Sequence, residues 1–585
     1  MNRYVVMLSS LLALAGCATS TPDSNVAPLV QISDMQTGAF ATRPALAEIN
    51  GELAVLYATK DDRVALQIGY QPKQFIDATA RVKKGGSFFK LWPHENNLQA
   101  AWWSHQDGKN IYLTSSSDAG KSFLPVSMVN DDHGVLPPFT LTRGTQGLLG
   151  MTYQDERLPG FQVFFNRSSD NGSTWSKPDQ RLDSPASGGR SSDAHESQTI
   201  TVGATWLSAW TDSIQIGGRA SYRIVSRRTE DAGFNWTQPT VLYSSDHHIS
   251  ALIVRGSGRS VVIAADDLNK GIFALTSQDA GLTWQSTGVL PGTSGLSNSG
   301  IEMVHSNGRA HLVWMEQRSE EKVRISSASL DVAKHEWLGG AKRLNPKSHE
   351  NTTSISPVIL EAAQGALVSA WVDYRDIRPN IYLATSYDQG TSWSAPQALL
   401  KPGTVSAGWP QLIQVKGKTA IAYETYPNER VADGSFHVRE LPVGEGPVAM
   451  ASISAFPTIS EAQRTAKLTE RIQALWSYRI AANYDQAYDM FDFAYKAATP
   501  KKLYVDNAGV ISYLTYSVDE VKISGNEANV SMKIRYEVKP TILPTTGKPI
   551  SVPPVDVDFP TRWVWVANDW YLVYTPSFDP PTLKY

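Results

Sequence analysis

From about Arg43 to Pro442 the chain repeats one hydrophobic pattern. A short apolar segment leads to a Gly-containing turn, then a strongly apolar segment, a polar loop and a third apolar segment. Pro357 to Ser386 and Ile301 to Ser329 show it most clearly. Short alternating segments divided by turn residues predict four-stranded antiparallel units. Units begin near Arg43, Phe89, Pro138, Ser197, Ala251, Ile301, Pro357 and Pro410, which makes eight, or seven if the weak first unit is irregular. The last unit lacks a fourth strand, whereas Pro28 to Ser33 precedes the first unit as an orphan strand. Joining the two would close a ring and leave no exposed sheet edge.

A second signal is locked to the first. Ser168 to Trp175 (SSDNGSTW) recurs as Ser116 to Phe123, Thr229 to Trp236, Ser277 to Trp284 and Ser386 to Trp393, with a decayed copy ending at Trp337. The closing aromatics are 48 to 61 residues apart, a propeller-like or solenoid period. Ser or Thr and Asp can bond neighbouring backbone N–H groups in a tight turn, and Gly supplies the positive φ that turn needs. The aromatic then serves as an apolar plug between sheets. These copies resemble the Asp box, or BNR repeat, of sialidase-type β-propellers, and they read as staples between the outer strands of each blade. The expectation is therefore an all-β propeller over residues 27–445, of about eight blades where the sialidases have six.

After Gly444 to Pro457 the period changes, so 446–457 reads as a linker and 458–585 as a second, smaller domain. Ser460 and Gln463 form a capping-box signature, and Leu468, Ile472, Leu475, Trp476 and Arg479 mark one helical face. A second helix is predicted over Tyr484 to Ala497. Strands follow at Ser512 to Ile523, Ala528 to Val538, Thr561 to Val566 and Trp570 to Tyr574, while the Pro-rich Ile542 to Pro560 reads as a surface loop. Helices before a curved sheet give an α+β order. Trp476 to Asp492 and the closing Trp-rich hairpin resemble the NTF2-like fold, whose cones often enclose a pocket that aromatic side chains can instead fill.

The chain start adds an address. Met1 to Arg3 is positive and Tyr4 to Ala15 is apolar, too short for a stable transmembrane span and typical of a secretory signal over 1–17. Leu14-Ala15-Gly16-Cys17 resembles the lipobox of bacterial lipoproteins, and Cys17 is the single cysteine of the chain. Lipid attachment at Cys17 is expected, with 18–26 as a polar tether and the outer membrane favoured because no Asp follows the Cys. With 53 basic and 56 acidic residues, nucleic acid is an unsuitable partner.

Candidate chemistry gathers where the resemblance puts one mouth of the central channel, opposite the boxes. The candidates there are Arg43, Asp62, Arg63, Asp155, Arg157, Asp373, Arg375 and Trp409. Such mixed acid, base and aromatic groups suit a polar ligand such as a sugar. Asp155-x-Arg157 and Asp373-x-Arg375 share a blade position, so local pairing competes with ligand binding. The histidines show no metal-ligand spacing, and neither metal nor cofactor is expected. Sialidase chemistry needs three carboxylate-binding arginines, a Tyr activated by a Glu, and an acid/base Asp. Arg43-Pro44 only partly matches the family's Arg-x-Pro strand start, Asp62 is the acid/base candidate, and Tyr423-Glu424 are adjacent and would face opposite ways. The reading is an exported, lipid-anchored envelope scaffold that binds a glycan or a partner protein. The alternative is an exo-sialidase-type hydrolase using Arg43, Asp62, Tyr423 and Glu424. Replacing Cys17 with Ala should move the protein from the membrane to the soluble fraction, which fractionation and intact mass will read.

Overall fold

In the computed structural model, eight antiparallel sheets follow one another from Ala45 to Glu440. The residues described are 29–573 without 31, 38–42, 78–86, 106–107, 132–133, 184–192, 318–322, 346–352, 376–377, 401–405, 427–433, 444–459, 493–494, 497–500, 509–510, 525, 543–548 and 567–568. Cys17, the tether and the linker lie outside them. The sheets open on strands Ala45–Ile49, Ser87–His94, Val135–Arg143, Asp193–Val202, Ile249–Ser257, Ser297–Ser306, Ser354–Glu361 and Ser406–Val415. Seven of the predicted unit starts fall inside these strands, and Arg43 stands just before the first of them.

The middle strands are buried along most of their length, and wholly so in Leu367–Asp373 and Asn380–Ser386. Their near-continuous apolar sequence follows, because each sheet packs both faces against neighbours. Every seam has its own apolar cluster: Trp102 and Tyr112 of the second sheet join Leu56 and Leu66 of the first, and Trp371 and Tyr382 of the seventh join Val313 and Ile325 of the sixth. The last seam returns to the start, where Ala420, Ala422, Phe436 and Val438 pack on Leu53, Val55 and Tyr57. Gln411 Nε2 also donates to the Pro44 carbonyl at 3.2 Å, and Lys416 pairs with Glu52 at 2.8 Å.

The N-terminal segment contributes to this seam in an unexpected way. Among the described residues the eighth sheet has three strands, and Leu29, Val30, Ile32 and Ser33 add no fourth, Pro28 and Gln31 lying outside the described residues. Instead Val30 and Met35 wedge into the seam, and Met35 bridges Thr59. Backbone bonds from Gln36 N to the Ala58 carbonyl and from Lys60 N to the Asp34 carbonyl, both 2.8 Å, pin the segment to the first sheet.

Each box joins the third and fourth strands of its sheet. In the third sheet Gly172 N donates to Ser168 Oγ at 2.8 Å and Thr174 N to Asp170 Oδ1 at 2.9 Å. The Asp bond recurs at Asp118, Asp231, Asp279 and Asp388. Trp175 Nε1 reaches Ser127 Oγ of the preceding sheet at 3.1 Å, so the box aromatic plugs the seam. The decayed copy has become a two-residue strand, Glu336–Trp337, paired to Leu330 and Asp331.

Five opening strands carry the same bulge. Register jumps between His195 and Gln198, Ser250 and Ile253, Ser299 and Glu302, Ile355 and Val358, and Gly408 and Gln411. Each jump holds one residue at positive φ: Glu196, Ala251, Gly300, Ser356 or Trp409. A bulge leaves backbone donors without ladder partners. At the fourth seam the Glu196 carboxylate accepts from Ala251 N at 3.1 Å and Leu252 N at 2.8 Å, stapling one bulge to the next.

The C-terminal region is helices followed by a sheet. Helix α1 (Glu461–Ile480) starts with the expected capping box, Ser460 N donating to Gln463 Oε1 and Gln463 N to Ser460 Oγ. It buries the predicted face against the sheet. Helix α2 (Tyr484–Asp489) stops well before Ala497, because Asp492 N and the Met490 carbonyl bond the backbone of Leu572, placing Phe491 in a parallel bridge. A further helix, α3 (Lys501–Asn507), has no counterpart in the sequence reading. The expected surface loop also contains a strand, Pro549–Asp558, along the outer half of Glu527–Ile542. It is an edge strand, where Pro553 and Pro554 need give no ladder donor.

The box glycines sit where backbone angle and packing coincide. Gly233 has φ +85°, and a Cβ there would stand 2.4 Å from the Phe165 ring of the preceding sheet, whereas Gly217 has φ +58° and open space around it. Gly217→Ala should cost about 1 kcal/mol for its backbone angle alone. Gly233→Ala should cost about 2–4 kcal/mol, because overpacking adds to that angle. Equilibrium denaturation compares the two; equal losses would show that the box needs Gly only for its φ.

Candidate functional site

In the antiparallel sheets the opening strands begin, and the second strands end, at one end of the ring. Here the Arg43 guanidinium lies 4.1 Å from the centre of the Trp409 ring. Trp409 is the positive-φ residue of the eighth-sheet bulge. On the neighbouring strand, Lys418–Tyr426, Tyr426 Oη donates to Glu424 Oε2 at 2.6 Å. The two are buried and two residues apart, so they share a face. Burial, then the Glu424 charge beside it, pushes the Tyr426 hydroxyl far above the usual phenol range. Protein walls lower the Arg43 pKa against the attraction of Glu424, Tyr426 and Glu302, although the side chain itself meets water in the mouth.

Tyr423 and Glu424 face opposite ways, as alternation implied, and Tyr426 takes the place that the hydrolase alternative gave to Tyr423. Tyr423 is buried in the seam between the seventh and eighth sheets, its ring stacked on His437 at 5.1 Å. Strand alternation turns it away from Glu424 and brings Tyr426 there instead.

The other predicted arginines are held by local acids. Arg63 pairs with Asp61 and lies 3.7 Å from the centre of the Phe75 ring, on the outermost strand of the first sheet. Asp62 accepts from Gln36 Nε2 at 2.6 Å. Arg157 binds three carboxylates, Asp131 at 2.6 Å, Asp155 at 2.7 Å and Asp179 at 2.9 Å. Asp131 and Asp179 also cross-bond each other's backbone N–H groups. Burial, then the Asp131 carboxyl, pushes Asp179 up to about 6. Asp131 resists a smaller burial effect and falls to about 2 through its bonds from Asp179 and Arg157.

Arg375 binds Asp373 through both carboxylate oxygens, Nε to Oδ1 at 2.9 Å and Nη2 to Oδ2 at 2.7 Å. Trp371 Nε1, Ser354 Oγ and Asn345 Nδ2 complete the shell of Asp373. Against burial, which acts to raise it, the Arg375 guanidinium holds the Asp373 carboxyl below the usual carboxylate range. Glu196 serves the bulge staple. No group of three His, Cys, Asp or Glu among the described residues is arranged to hold a metal ion.

Three charged residues that the sequence reading missed line the ring deeper than the mouth: Lys90, Arg255 and Glu302, on the opening strands of the second, fifth and sixth sheets. Each interrupts an otherwise apolar strand (SFFKLW, ALIVRG, GIEMV), a signal present in the sequence.

Residues 153–335 match the family model described as a BNR repeat-like domain. No curated protein matches the chain. Solved structures to which the chain is similar include the NanB sialidase of Streptococcus pneumoniae, at 9% identity over 72% of this chain and 99% of that one, with a TM-score of 0.32. The polysaccharide lyase Uly1 aligns at 11% identity over 60% and 88%, with a TM-score of 0.39. The GH93 α-L-arabinofuranosidase of Fusarium graminearum aligns at 11% over 52% and 98%, with a TM-score of 0.33. The family match spans the third to the sixth sheet of the ring. Overlaps of this grade carry no activity across.

Arg375→Met should destabilise the protein by about 3–5 kcal/mol, because it leaves a buried carboxylate unpaired. The pH dependence has a definite sign. A depressed folded pKa gives stability that is present above the ordinary carboxylate pKa of about 4 and lost as pH falls through the folded value. Wild-type stability should therefore drop on acidification below about pH 4, and Arg375→Met should flatten that drop, as denaturation at several pH values will read.

Proposed function

We propose that the protein is a lipid-anchored envelope scaffold whose eight-bladed propeller binds a glycan or a partner protein at the channel mouth, through Arg43, Trp409 and the Glu424–Tyr426 pair. The observation that carries this reading is the arrangement of the arginines. Arg157 and Arg375 are held by local carboxylates, while Arg43 is stacked on an aromatic ring beside a buried acid. An aromatic face with a few fixed polar groups around it suits a sugar, whereas a catalytic carboxylate clamp needs several uncommitted guanidinium groups. Export, attachment through Cys17, residence at the outer membrane and an NTF2-like second domain belong to the same proposal, on the sequence grounds given above.

A second reading has one observation in its favour. The 2.6 Å bond from Tyr426 to Glu424 is the geometry a glutamate-activated tyrosine nucleophile needs, and Arg43 lies near it. It makes a sialidase-type hydrolase the alternative.

Release of the fluorophore from a fluorogenic sialoside separates the two. The scaffold reading expects no turnover, together with binding to an oligosaccharide panel that weakens about tenfold or more in Trp409→Ala. Turnover by the wild type that disappears in both Arg43→Ala and Tyr426→Phe would establish the hydrolase instead.

A further inference from the structure

The charged residues below the mouth have no part in the reading so far. Lys90, Arg255, Glu302 and Arg43 belong to the second, fifth, sixth and first sheets, yet each lies within electrostatic reach of Glu302 or is Glu302 itself. The second and sixth sheets share no seam, so Lys90 and Glu302 meet only through the space the ring encloses. Consecutive opening strands neighbour one another all the way round and so line the axis of the ring, and Arg255 Nη2 stands 3.7 Å from Glu302 across the fifth and sixth of them; the four side chains therefore converge on the axial channel.

Their balance is uneven. Three cations act on Glu302, and only Arg43 has a second carboxylate, Glu424, beside it; burial acts on all four, lowering the pKa of Lys90, Arg255 and Arg43 and raising that of Glu302. Arg255 and Glu302 nevertheless keep 40% and 47% of their side-chain surface open to solvent. Both facts hold in a narrow water-filled channel, where solvent touches each group while protein closes around it. Arg255 is fixed from behind, Nε donating to the Met303 carbonyl at 3.1 Å and Nη1 to the Val254 carbonyl at 2.9 Å, so that Nη2 extends to 3.7 Å from Glu302. Lys90 faces the channel with Glu302 as the one acid acting on it. Cations crowded beyond their counter-charge in a confined, low-dielectric space are complementary to an anion.

We propose that the axial channel binds an oxyanion, the carboxylate or sulfate of an acidic oligosaccharide, with Lys90 and Arg255 as its cationic contacts. Glu302 orients Arg255 and weakens the site by its own charge. The inference rests on the mouth being a ligand entrance and names the chemistry of what enters: a glycan whose acidic group reaches past Trp409 into the channel.

The test uses the full chain, with tetragalacturonate and sodium sulfate as probes in calorimetric titrations at constant ionic strength. Lys90→Met should weaken tetragalacturonate binding about tenfold or more, and Glu302→Gln should strengthen it about threefold, since one removes an attraction and the other a repulsion. Opposite signs are not expected from two merely structural lesions, and the gain in Glu302→Gln does not depend on Lys90→Met folding well. Unchanged affinity in both variants would overturn the inference, as would a wild type that binds neither probe. Loss of binding in Trp409→Ala with wild-type affinity in both channel variants would keep the mouth reading and remove this one. The reverse pattern would keep the channel and remove the mouth. Sulfate that binds as tightly as tetragalacturonate would overturn the oligosaccharide as the source of the anion.

Discussion

Packing of one sheet's face onto the next is the interaction on which this architecture depends. The middle strands are buried on both faces, so each sheet is stable only between two neighbours, and the requirement is met for all eight because the last packs on the first. Ring closure is thus a condition for burying the first and last sheets at all. The boxes serve the same end: their hydrogen bonds fix a turn whose glycine and aromatic reach into the seam. Without a cysteine in the described chain, aromatic plugs and buried tryptophans hold the sheets in place.

The mouth depends on that rigidity. Arg43 and Trp409 come from the two sheets that meet at the closing seam, so their stacking exists only when the ring is shut. Glu424 and Tyr426 sit at the end of the strand whose Ala420 and Ala422 form the seam core. Binding geometry and ring closure are in this sense one property. The arginines elsewhere around the mouth are held by nearby acids, Arg375 by Asp373 of its own loop and Arg157 by Asp155 together with Asp131 and Asp179 of neighbouring segments.

What could be read from the sequence follows from how local its cause is. The boxes and the helix cap were legible because a few adjacent side chains decide them. The sheet sequence was legible because two-sided burial leaves an apolar signature. Features set by distant partners were not. The wedge of Val30 and Met35 depends on strands of the first and eighth sheets, and α2 ends where it meets Leu572. The strand Pro549–Asp558 was hidden by its prolines, which an edge tolerates. Tyr426 was within reach, since alternation already excluded Tyr423 as the partner of Glu424. Lys90, Arg255 and Glu302 were visible as charges inside apolar strands, but only the ring shows that they face one another.

The repeated bulge bears on how such a site can change. A residue inserted into a strand inverts the inside–outside alternation beyond it, so each of the five bulged opening strands is two segments out of phase. The predicted unit starts Ser197, Ala251, Ile301, Pro357 and Pro410 all fall within the register jumps, where the regular apolar alternation resumes. The segment upstream reaches the mouth; the segment downstream supplies the seams, with Arg255 and Glu302 the exceptions that turn toward the channel. Because the break in phase separates these two demands, substitutions at the mouth are decoupled from the packing that closes the ring, and one scaffold can present different surfaces without being rebuilt.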